Sequence, residues 1–111
     1  MCHQRSKSAN FRRGDSSPFA RWLASLKDRQ ARAIIRIRIN RLRLGDFGDS
    51  HSVGGGIHEL RIDYGPGYRV YFGRNGATIV ILLCGGDKKT QPNDIETASK
   101  YWKEHQDANK S

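Results

Sequence analysis

The feature that most constrains the fold is a run of three strand-like segments joined by short turns. Residues 57–63 and 68–74 alternate apolar with polar side chains, and residues 77–84 are almost entirely apolar. Alternation is typical of a strand with one buried face, whereas a short apolar run is typical of a central strand buried on both faces. The pair Asn75-Gly76 predicts a two-residue type I′ turn between the second and third segments. The sequence therefore predicts an antiparallel meander.

The first turn of the meander decides which side chains share a face, because a slip of one residue moves every side chain to the other face. A three-residue turn at Gly65-Pro66-Gly67 avoids mixing polar with apolar residues. It predicts a core face with these cross-strand pairs: Tyr64–Tyr68, Ile62–Val70, Leu60–Phe72, Phe72–Ile79 and Val70–Ile81. On the other face, Arg61 is predicted opposite Tyr71 and Asp63 opposite Arg69, with Leu82 beside Arg69. The end of the third strand then brings Lys88 close to both arginines.

Three further segments have helical spacing. Residues 15–18 supply capping side chains and a proline, and an apolar stripe follows at Phe19, Trp22, Leu23 and Leu26. Residues 28–44 alternate like a strand around Ile37, but no turn residue occurs before Gly45 and the segment is long for a strand. We therefore predict a helix there, with a buried stripe at Ala31, Ile35, Ile39 and Leu42. A last helix, opened by Thr90 and Pro92, buries Ile95, Ala98 and Trp102.

These segments predict an α+β fold with the element order β-α-α-β-β-β-α. A short strand is expected at residues 10–13, and residues 46–56 are expected to form a loop ending in three glycines. At 111 residues the chain has room for one small domain. We place that domain at residues 10–106, between a disordered N-terminal tail (1–9) and a C-terminal tail (107–111).

The positive charge is concentrated in the N-terminal part of the chain. Residues 1–44 hold 12 Lys and Arg against 2 acids, a balance of +10, whereas residues 45–111 hold 8 against 9, a balance of −1. On the helix predicted at 28–44, an arginine stripe lies beside the core stripe: Arg29, Arg32, Arg36 and Arg43. Ile37 and Leu44 face away from the core. The charge favours a polyanionic partner such as nucleic acid, an anionic membrane surface or an acidic protein, and a merely solvated basic face is the alternative.

The sequence lacks the residue patterns of several common catalytic, phosphate-binding and metal sites. No carboxylate pair, no Ser-His-Asp arrangement and no P-loop is visible. Cys2 and Cys84 are far apart and are interpreted as free thiols, and the four histidines have no metal-ligand spacing. We therefore expect neither a metal nor a cofactor. No apolar run could span a bilayer and no signal-type stretch opens the chain, so we expect a cytoplasmic protein without a membrane partner.

The remaining candidate chemistry is cationic. Arginines fixed on strands can hold a phosphate and stabilise the extra negative charge of its transition state, and RNA supplies its own nucleophile, the 2′-OH. A metal-free ribonuclease needs in addition only a base and an acid. The candidate catalytic residues are Arg61, Arg69, Lys88, Tyr71, Asp87 and His51. The simpler alternatives are a solvated Arg69–Asp63 ion pair, an ordinary Arg61–Tyr71 cross-strand contact and solvated loop residues at Lys88 and His51.

Two segments have a specific resemblance. The order of elements, with ELRIDYGPGYRVYF in the hairpin and LLCGGDKKTQ after it, resembles the RelE/HigB/ParE toxin superfamily between about Phe19 and Trp102. Within it, the chain looks most like the addiction module killer protein group of HigB-like toxins. The resemblance implies a RelE-like fold: an antiparallel sheet of about four strands with two N-terminal helices packed on one face.

The resemblance also implies a function. Such toxins belong to type II toxin–antitoxin systems; RelE- and HigB-like members cleave mRNA, usually on the ribosome, whereas ParE-like members inhibit DNA gyrase. By position, the family's conserved arginines correspond to Arg61 and Arg69, and its basic residue after the last strand to Lys88. Where RelE-type toxins place catalytic lysines, this chain has Ile57 and Glu59, and Ile95 stands where they place a tyrosine.

The implied partners are mRNA, the ribosome and a small HigA-like helix-turn-helix antitoxin. We expect the arginine stripe and Lys89 to bind RNA or the ribosome. Arg32, Arg36 and the outward Ile37 are expected to bind the antitoxin, because they combine charge with exposed apolar surface.

Overall fold

The structure, a computed structural model, describes residues 7–13, 16–75 and 79–108. Its elements are β1 (Lys7–Asn10), α1 (Pro18–Ser25), α2 (Arg29–Arg43), β2 (Ser50–Gly54), β3 (Ile57–Ile62), β4 (Tyr68–Asn75), β5 (Ile79–Asp87), a 3₁₀ turn (Lys88–Thr90) and α3 (Gln91–Ala108). The predicted α+β class is confirmed. The predicted element order is wrong, because β2 adds a strand between α2 and the meander.

A five-stranded mixed sheet with the order β1-β5-β4-β3-β2 forms the centre of the molecule. β1 runs parallel to β5, and the other neighbours are antiparallel. β2 lies in the segment predicted as a loop; its side chains are exposed or half-buried, so it shows no apolar alternation. β1 begins at Lys7 rather than Asn10 and so includes residues assigned to the tail. Residues 1–6 and 109–111 of the expected tails lie outside the described residues.

The meander has a different register from the prediction. The β3–β4 connection uses residues 63–67 rather than three residues, with positive φ at Gly65 and Gly67. Arg61 therefore pairs with Arg69, and Glu59 with Tyr71. The predicted partners Tyr71 for Arg61 and Asp63 for Arg69 were wrong by two residues, a shift that leaves every side chain on its predicted face.

The register between β4 and β5 was also wrong. A bulge between Tyr71 and Phe72 places Phe72 opposite Leu82 instead of Ile79, and Arg69 lies opposite Gly86. Leu82 therefore belongs to the core under the N-terminal helices, and Ile81 faces the other way. Gly76, the second residue of the predicted type I′ turn, lies outside the described residues.

Helices cover both faces of the sheet. On one face, α1 and α2 pack on side chains that include Leu60, Val70 and Phe72, and the predicted buried stripe of α2 is confirmed. On the other face, α3 packs through Ala98 and Trp102 on a second apolar cluster. The sequence placed candidate catalytic residues on that second face, but α3 covers a large part of it. What remains open is the region around the ends of β3 and β4.

Local signals explain the helix boundaries. Ser17 caps α1 by accepting a hydrogen bond from the Ala20 N–H, and Pro18 is the first helical residue. Asp28 caps α2 by accepting from the N–H groups of Gln30 and Ala31. Asp15, also considered a capping residue, lies outside the described residues. None of the helices in the described ranges is both long and apolar enough to cross a membrane.

Candidate functional site

The open part of the second face is organised around a buried carboxylate. Glu59 on β3 has a side chain only 1% exposed. Its Oε1 accepts hydrogen bonds from Arg61 Nε at 3.0 Å and Arg69 Nη1 at 2.7 Å, and its Oε2 accepts from Gln91 Nε2 at 2.6 Å and the Tyr71 hydroxyl at 3.2 Å. A buried charge needs this degree of pairing, since an uncompensated one is very costly. Glu59 therefore fixes the positions of both guanidinium groups.

The site follows from two adjacent rows across the sheet, because directly opposed residues in antiparallel strands project to the same side. One row is His51, Glu59, Tyr71 and Cys84; the other continues from Asp49, whose carbonyl accepts from the Arg61 N–H, through Arg61 and Arg69 to Gly86. The two arginines and the carboxylate that binds them thus lie in neighbouring rows of the sheet. Alternation along β3 puts Glu59 and Arg61 on one side of the strand.

The second row opens into a cleft of about 270 Å³, which we call the guanidinium cleft. Its lining includes Arg61, Arg69 and Lys88, and also Asp49 and Asp63. The side chain of Arg69 is 11% exposed and that of Arg61 is 45% exposed. Three cations against two acids, with Glu59 beneath, give the cleft little net charge. Its capacity to bind an anion therefore rests on aimed N–H donors rather than on a strong field.

The pKa values describe an ionised carboxylate beside a neutral phenol. Burial raises the pKa of Glu59, but hydrogen bonds from Gln91, Arg61 and Arg69 outweigh it and hold the pKa below its ordinary value. Burial, and then the negative charge of Glu59, raises the pKa of Tyr71 well above that of a free phenol. Tyr71 is therefore a hydrogen-bond donor to Glu59 at neutral pH.

The structure brings together only part of the predicted catalytic set. Arg61, Arg69 and Lys88 share the cleft, whereas Tyr71 is fully buried beneath it. Asp87 caps the 3₁₀ turn, its carboxylate accepting from the Lys89 and Thr90 N–H groups.

His51 is exposed on β2. Its Nε2 lies 2.9 Å from Oδ1 of Asp49, which belongs to the cleft lining. Of the three other predicted catalytic residues, Tyr71, Asp87 and His51, the exposed one with a partner in the cleft lining is thus His51.

The predicted binding residues lie elsewhere. α2, with the arginine stripe, packs on the opposite face of the sheet from Glu59. Arg29, Arg36 and Arg43 are exposed, and Arg32, half-buried, donates to the Leu26 carbonyl. Ile37 is 51% exposed, as the prediction of an outward apolar residue required. Lys89 is exposed and follows Lys88 in the 3₁₀ turn.

Two residues of the site were missed by sequence reasoning. Glu59 was noted only as a departure from a family pattern, although its spacing of two from Arg61 on a strand placed both on one face. Gln91 could not be found in this way, because it reaches Glu59 from α3 across 32 positions of sequence. Within the described ranges, no three His, Cys, Asp or Glu side chains are grouped so as to hold a metal ion.

Comparison with known proteins gives one family and one relative. The model of a family described as phage-derived protein Gp49-like (DUF891) matches residues 21–103. An uncharacterized protein of Haemophilus influenzae is 56% identical over 80 residues, which are 72% of this chain and 81% of that protein. No solved structure matches the chain.

Proposed function

The chain belongs to the family of Gp49-like phage-derived proteins, which is associated with addiction-module toxins of the RelE and HigB type, and on that premise we propose that it is the toxin of a type II toxin–antitoxin system. We propose further that it inhibits translation by cutting mRNA without a metal ion. The observation that supports cleavage is the guanidinium cleft, in which Arg61, Arg69 and Lys88 meet above a carboxylate that fixes the two arginines.

Each arginine retains donors for a phosphate. Glu59 binds Nε of Arg61 and Nη1 of Arg69, which leaves other guanidinium N–H groups of both side chains for the two non-bridging oxygens of a phosphodiester. Because the arginines are held before substrate arrives, they need little reorganisation as charge develops on those oxygens. Removing one such donor typically costs about 10²- to 10³-fold in rate.

The reaction is an internal transesterification. The 2′-oxygen loses its proton to a base and attacks the adjacent phosphorus, while the bond from phosphorus to the 5′-oxygen breaks. The leaving oxygen takes a proton, giving a 2′,3′-cyclic phosphate and a free 5′-hydroxyl. His51 serves as the base, oriented by Asp49, and Lys88 is the proton donor. Tyr71 and Asp87 are left with positioning and capping roles.

The test is primer extension on a reporter mRNA after induction of the toxin, with Arg69→Ala compared to wild type. Arg41→Ala, an exposed arginine of α2 outside the cleft, is the matched control. We expect new 5′ ends in the mRNA with wild type and the control, and a cleavage rate lower by about 100-fold or more with Arg69→Ala. Thermal melting and co-purification with the antitoxin establish that the variant is folded. A fully toxic Arg69→Ala protein would contradict the proposal.

The same induction separates the competing function. A ParE-like inhibitor of DNA gyrase would cause DNA damage with intact transcripts, whereas a ribonuclease stops protein synthesis first. A nucleic-acid-binding module without toxin activity would not arrest growth.

The two faces of the sheet support a proposal for two partners. We propose that mRNA, presented in the cytoplasm by the ribosome, enters the guanidinium cleft, and that a small helix-turn-helix antitoxin docks on α2. Arg32, Arg36 and the exposed Ile37 supply a cationic surface beside an exposed apolar residue for an acidic, amphipathic segment of that antitoxin.

A further inference from the structure

Two other clefts lie in a row with the guanidinium cleft. The next one, of about 260 Å³, shares Tyr68 with it and is lined also by Gly85 and Gly86; we call it the glycine cleft. A third, of about 450 Å³, shares Trp22 with the glycine cleft and is lined further by Arg13, Arg21 and Tyr101; we call it the terminal cleft. Each neighbouring pair of clefts therefore shares one aromatic side chain, and we call the row of three clefts the track.

The glycines make room for two side chains that line this track. A Cβ on Gly85 would lie 2.3 Å from the ring of Trp22, and one on Gly86 would lie 1.8 Å from Oδ2 of Asp94. The indole ring and the Asp94 carboxylate thus occupy space that side chains on β5 would fill. The rings of Trp22 and Tyr68 meet edge to face, with centroids 6.2 Å apart, and both are half-buried. Half-buried rings of this kind present surface on which bases stack.

Charge varies along the track. Arg61, Arg69 and Lys88 stand at one end and Arg21 at the other. Arg13, also in the terminal cleft, is paired with Glu104, so Arg21 is the stronger candidate for a phosphate there. The glycine cleft between them is acidic, through Asp87 and Asp94. Phosphates are therefore favoured at the two ends and disfavoured in the middle.

The acidic middle suits base edges. Carboxylate oxygens accept hydrogen bonds from the exocyclic amines of bases. Asp94 already accepts from the Thr90 hydroxyl. Burial raises the pKa of Asp94 despite that hydrogen bond, so the carboxyl is a partly desolvated group facing the cleft.

We propose that this track binds single-stranded RNA on one side of the scissile phosphate, with bases on Tyr68 and Trp22 and a further phosphate at Arg21. The proposal rests on the proposed function in taking RNA as the substrate. It adds a binding path of several nucleotides to what would otherwise be a site for one phosphate.

The test measures binding without cleavage. The probe is a fluorescein-labelled 2′-O-methyl hexanucleotide of mixed sequence, which cannot react because its 2′-oxygens are blocked; the readout is fluorescence anisotropy with the full-length protein. Stacking on one aromatic side chain typically changes affinity about fivefold or more. We expect that loss for Trp22→Leu and Tyr68→Leu, with Trp22→Phe retaining most of the affinity. A hexanucleotide with abasic sites should bind weakly to wild type and to each of these variants, because it has no bases to stack.

The outer cation gives a test that does not disturb the core. Arg21 is exposed, and we expect Arg21→Ala to weaken hexanucleotide binding. The slope of the logarithm of the binding constant against the logarithm of the salt concentration should become shallower by about 0.7, the value for one lost phosphate contact. Dinucleotide binding should not change. Arg41→Ala, equally exposed on α2, should match wild type for both probes.

Two results would overturn the track: unchanged affinity for the hexanucleotide in both Trp22→Leu and Arg21→Ala, or equal effects of Arg21→Ala and Arg41→Ala. Either can occur while wild type still cleaves mRNA, which leaves the proposed function standing. Conversely, a fully toxic Arg69→Ala protein would reject the proposed cleavage site, and the binding measurements would still decide whether the track binds RNA. If the hexanucleotide does not bind and Trp22→Leu and Arg21→Ala instead weaken antitoxin binding, the track is a protein interface, and this result also rejects the proposal.

Discussion

Arginines occur in two contrasting regions of this protein, the guanidinium cleft and the arginine stripe of α2. In the cleft, Arg69 is 11% exposed and bound to a buried carboxylate, and Arg61 is bound to the same group. On α2, Arg29 and Arg36 project from a helix surface into solvent. Most of the formal charge is in the N-terminal part, yet the cleft has little net charge. Charge count and placement therefore indicate different tasks: long-range attraction for the stripe, and directed hydrogen bonding for the cleft.

The largest expected effect separates the two regions by stability. Glu59→Gln keeps the shape of the side chain but removes the charge that compensates Arg69 and Arg61. Removing one partner of a buried ion pair typically costs about 3 to 5 kcal/mol, and the half-exposure of Arg61 puts our expectation at about 3 kcal/mol. Urea unfolding followed by circular dichroism measures the loss.

Glu96→Gln is the matched control, since Glu96 is exposed on α3. We expect it to change the free energy of unfolding by no more than about 0.5 kcal/mol. Equal stabilities of the two variants would mean that Glu59 does not hold the arginines, and the contrast between the regions would fail.

What the sequence predicted depended on the range of the interactions. Helix stripes and caps are local patterns, so the stripe at Ala31, Ile35, Ile39 and Leu42 was predicted correctly. Strand register is set by turn length and by a bulge between Tyr71 and Phe72, neither of which the composition indicates. The predicted register was therefore wrong. β2 was missed because it is largely solvated and has no apolar alternation.

The same distinction holds for the candidate site. Arg61 and Arg69 were predicted to share a face because of alternation, and an even register error preserved that face. Lys88 was predicted nearby because it follows the end of the adjacent strand, and it does line the cleft. Tyr71 was predicted to take part in catalysis, but it is fully buried in the cluster under α3. Gln91 could be found only from the tertiary structure, since α3 brings it to Glu59.

The next effect tests the stripe through its proposed partner. Arg32→Glu combined with Arg36→Glu reverses two charges on α2 and so lowers its net charge by four units, and we expect antitoxin affinity to fall about tenfold or more at low salt, mainly through slower association. Since exposed charges are screened, the difference should shrink at high salt. Isothermal titration at two salt concentrations measures it, with Arg61→Ala as a control on the other face. Unchanged affinity at low salt would exclude this interface.

A smaller effect compares single arginines of the two regions. Arg61→Ala removes one charged donor to Glu59, and because Arg61 is half-exposed we expect a cost of about 1 kcal/mol. Arg36→Ala on the surface of α2 should stay within about 0.5 kcal/mol of wild type, since alanine is also a good helix former. Differential scanning calorimetry of the two variants gives both values. A larger loss for Arg36→Ala would reverse the comparison.

The smallest effect is the acid dependence of each region, which Glu59 and Asp28 report. Hydrogen bonds hold the pKa of Glu59 below its ordinary value of 4.5, so its contribution is complete above that pH and is lost as the pH falls through the folded-state pKa. On α2, the Tyr64 hydroxyl and the helix N–H groups lower the pKa of Asp28, which adds a loss of the same sign. Glu59→Gln should therefore flatten the fall in the free energy of unfolding below about pH 4.5 without abolishing it, because Asp28 remains.

Burial raises the pKa of Asp94 above 3.8, which acts in the opposite direction, so Asp94→Asn should steepen the fall. Denaturant unfolding between pH 3 and 6 measures the three slopes, and equal slopes in wild type and Glu59→Gln would show that folding does not lower the pKa of Glu59.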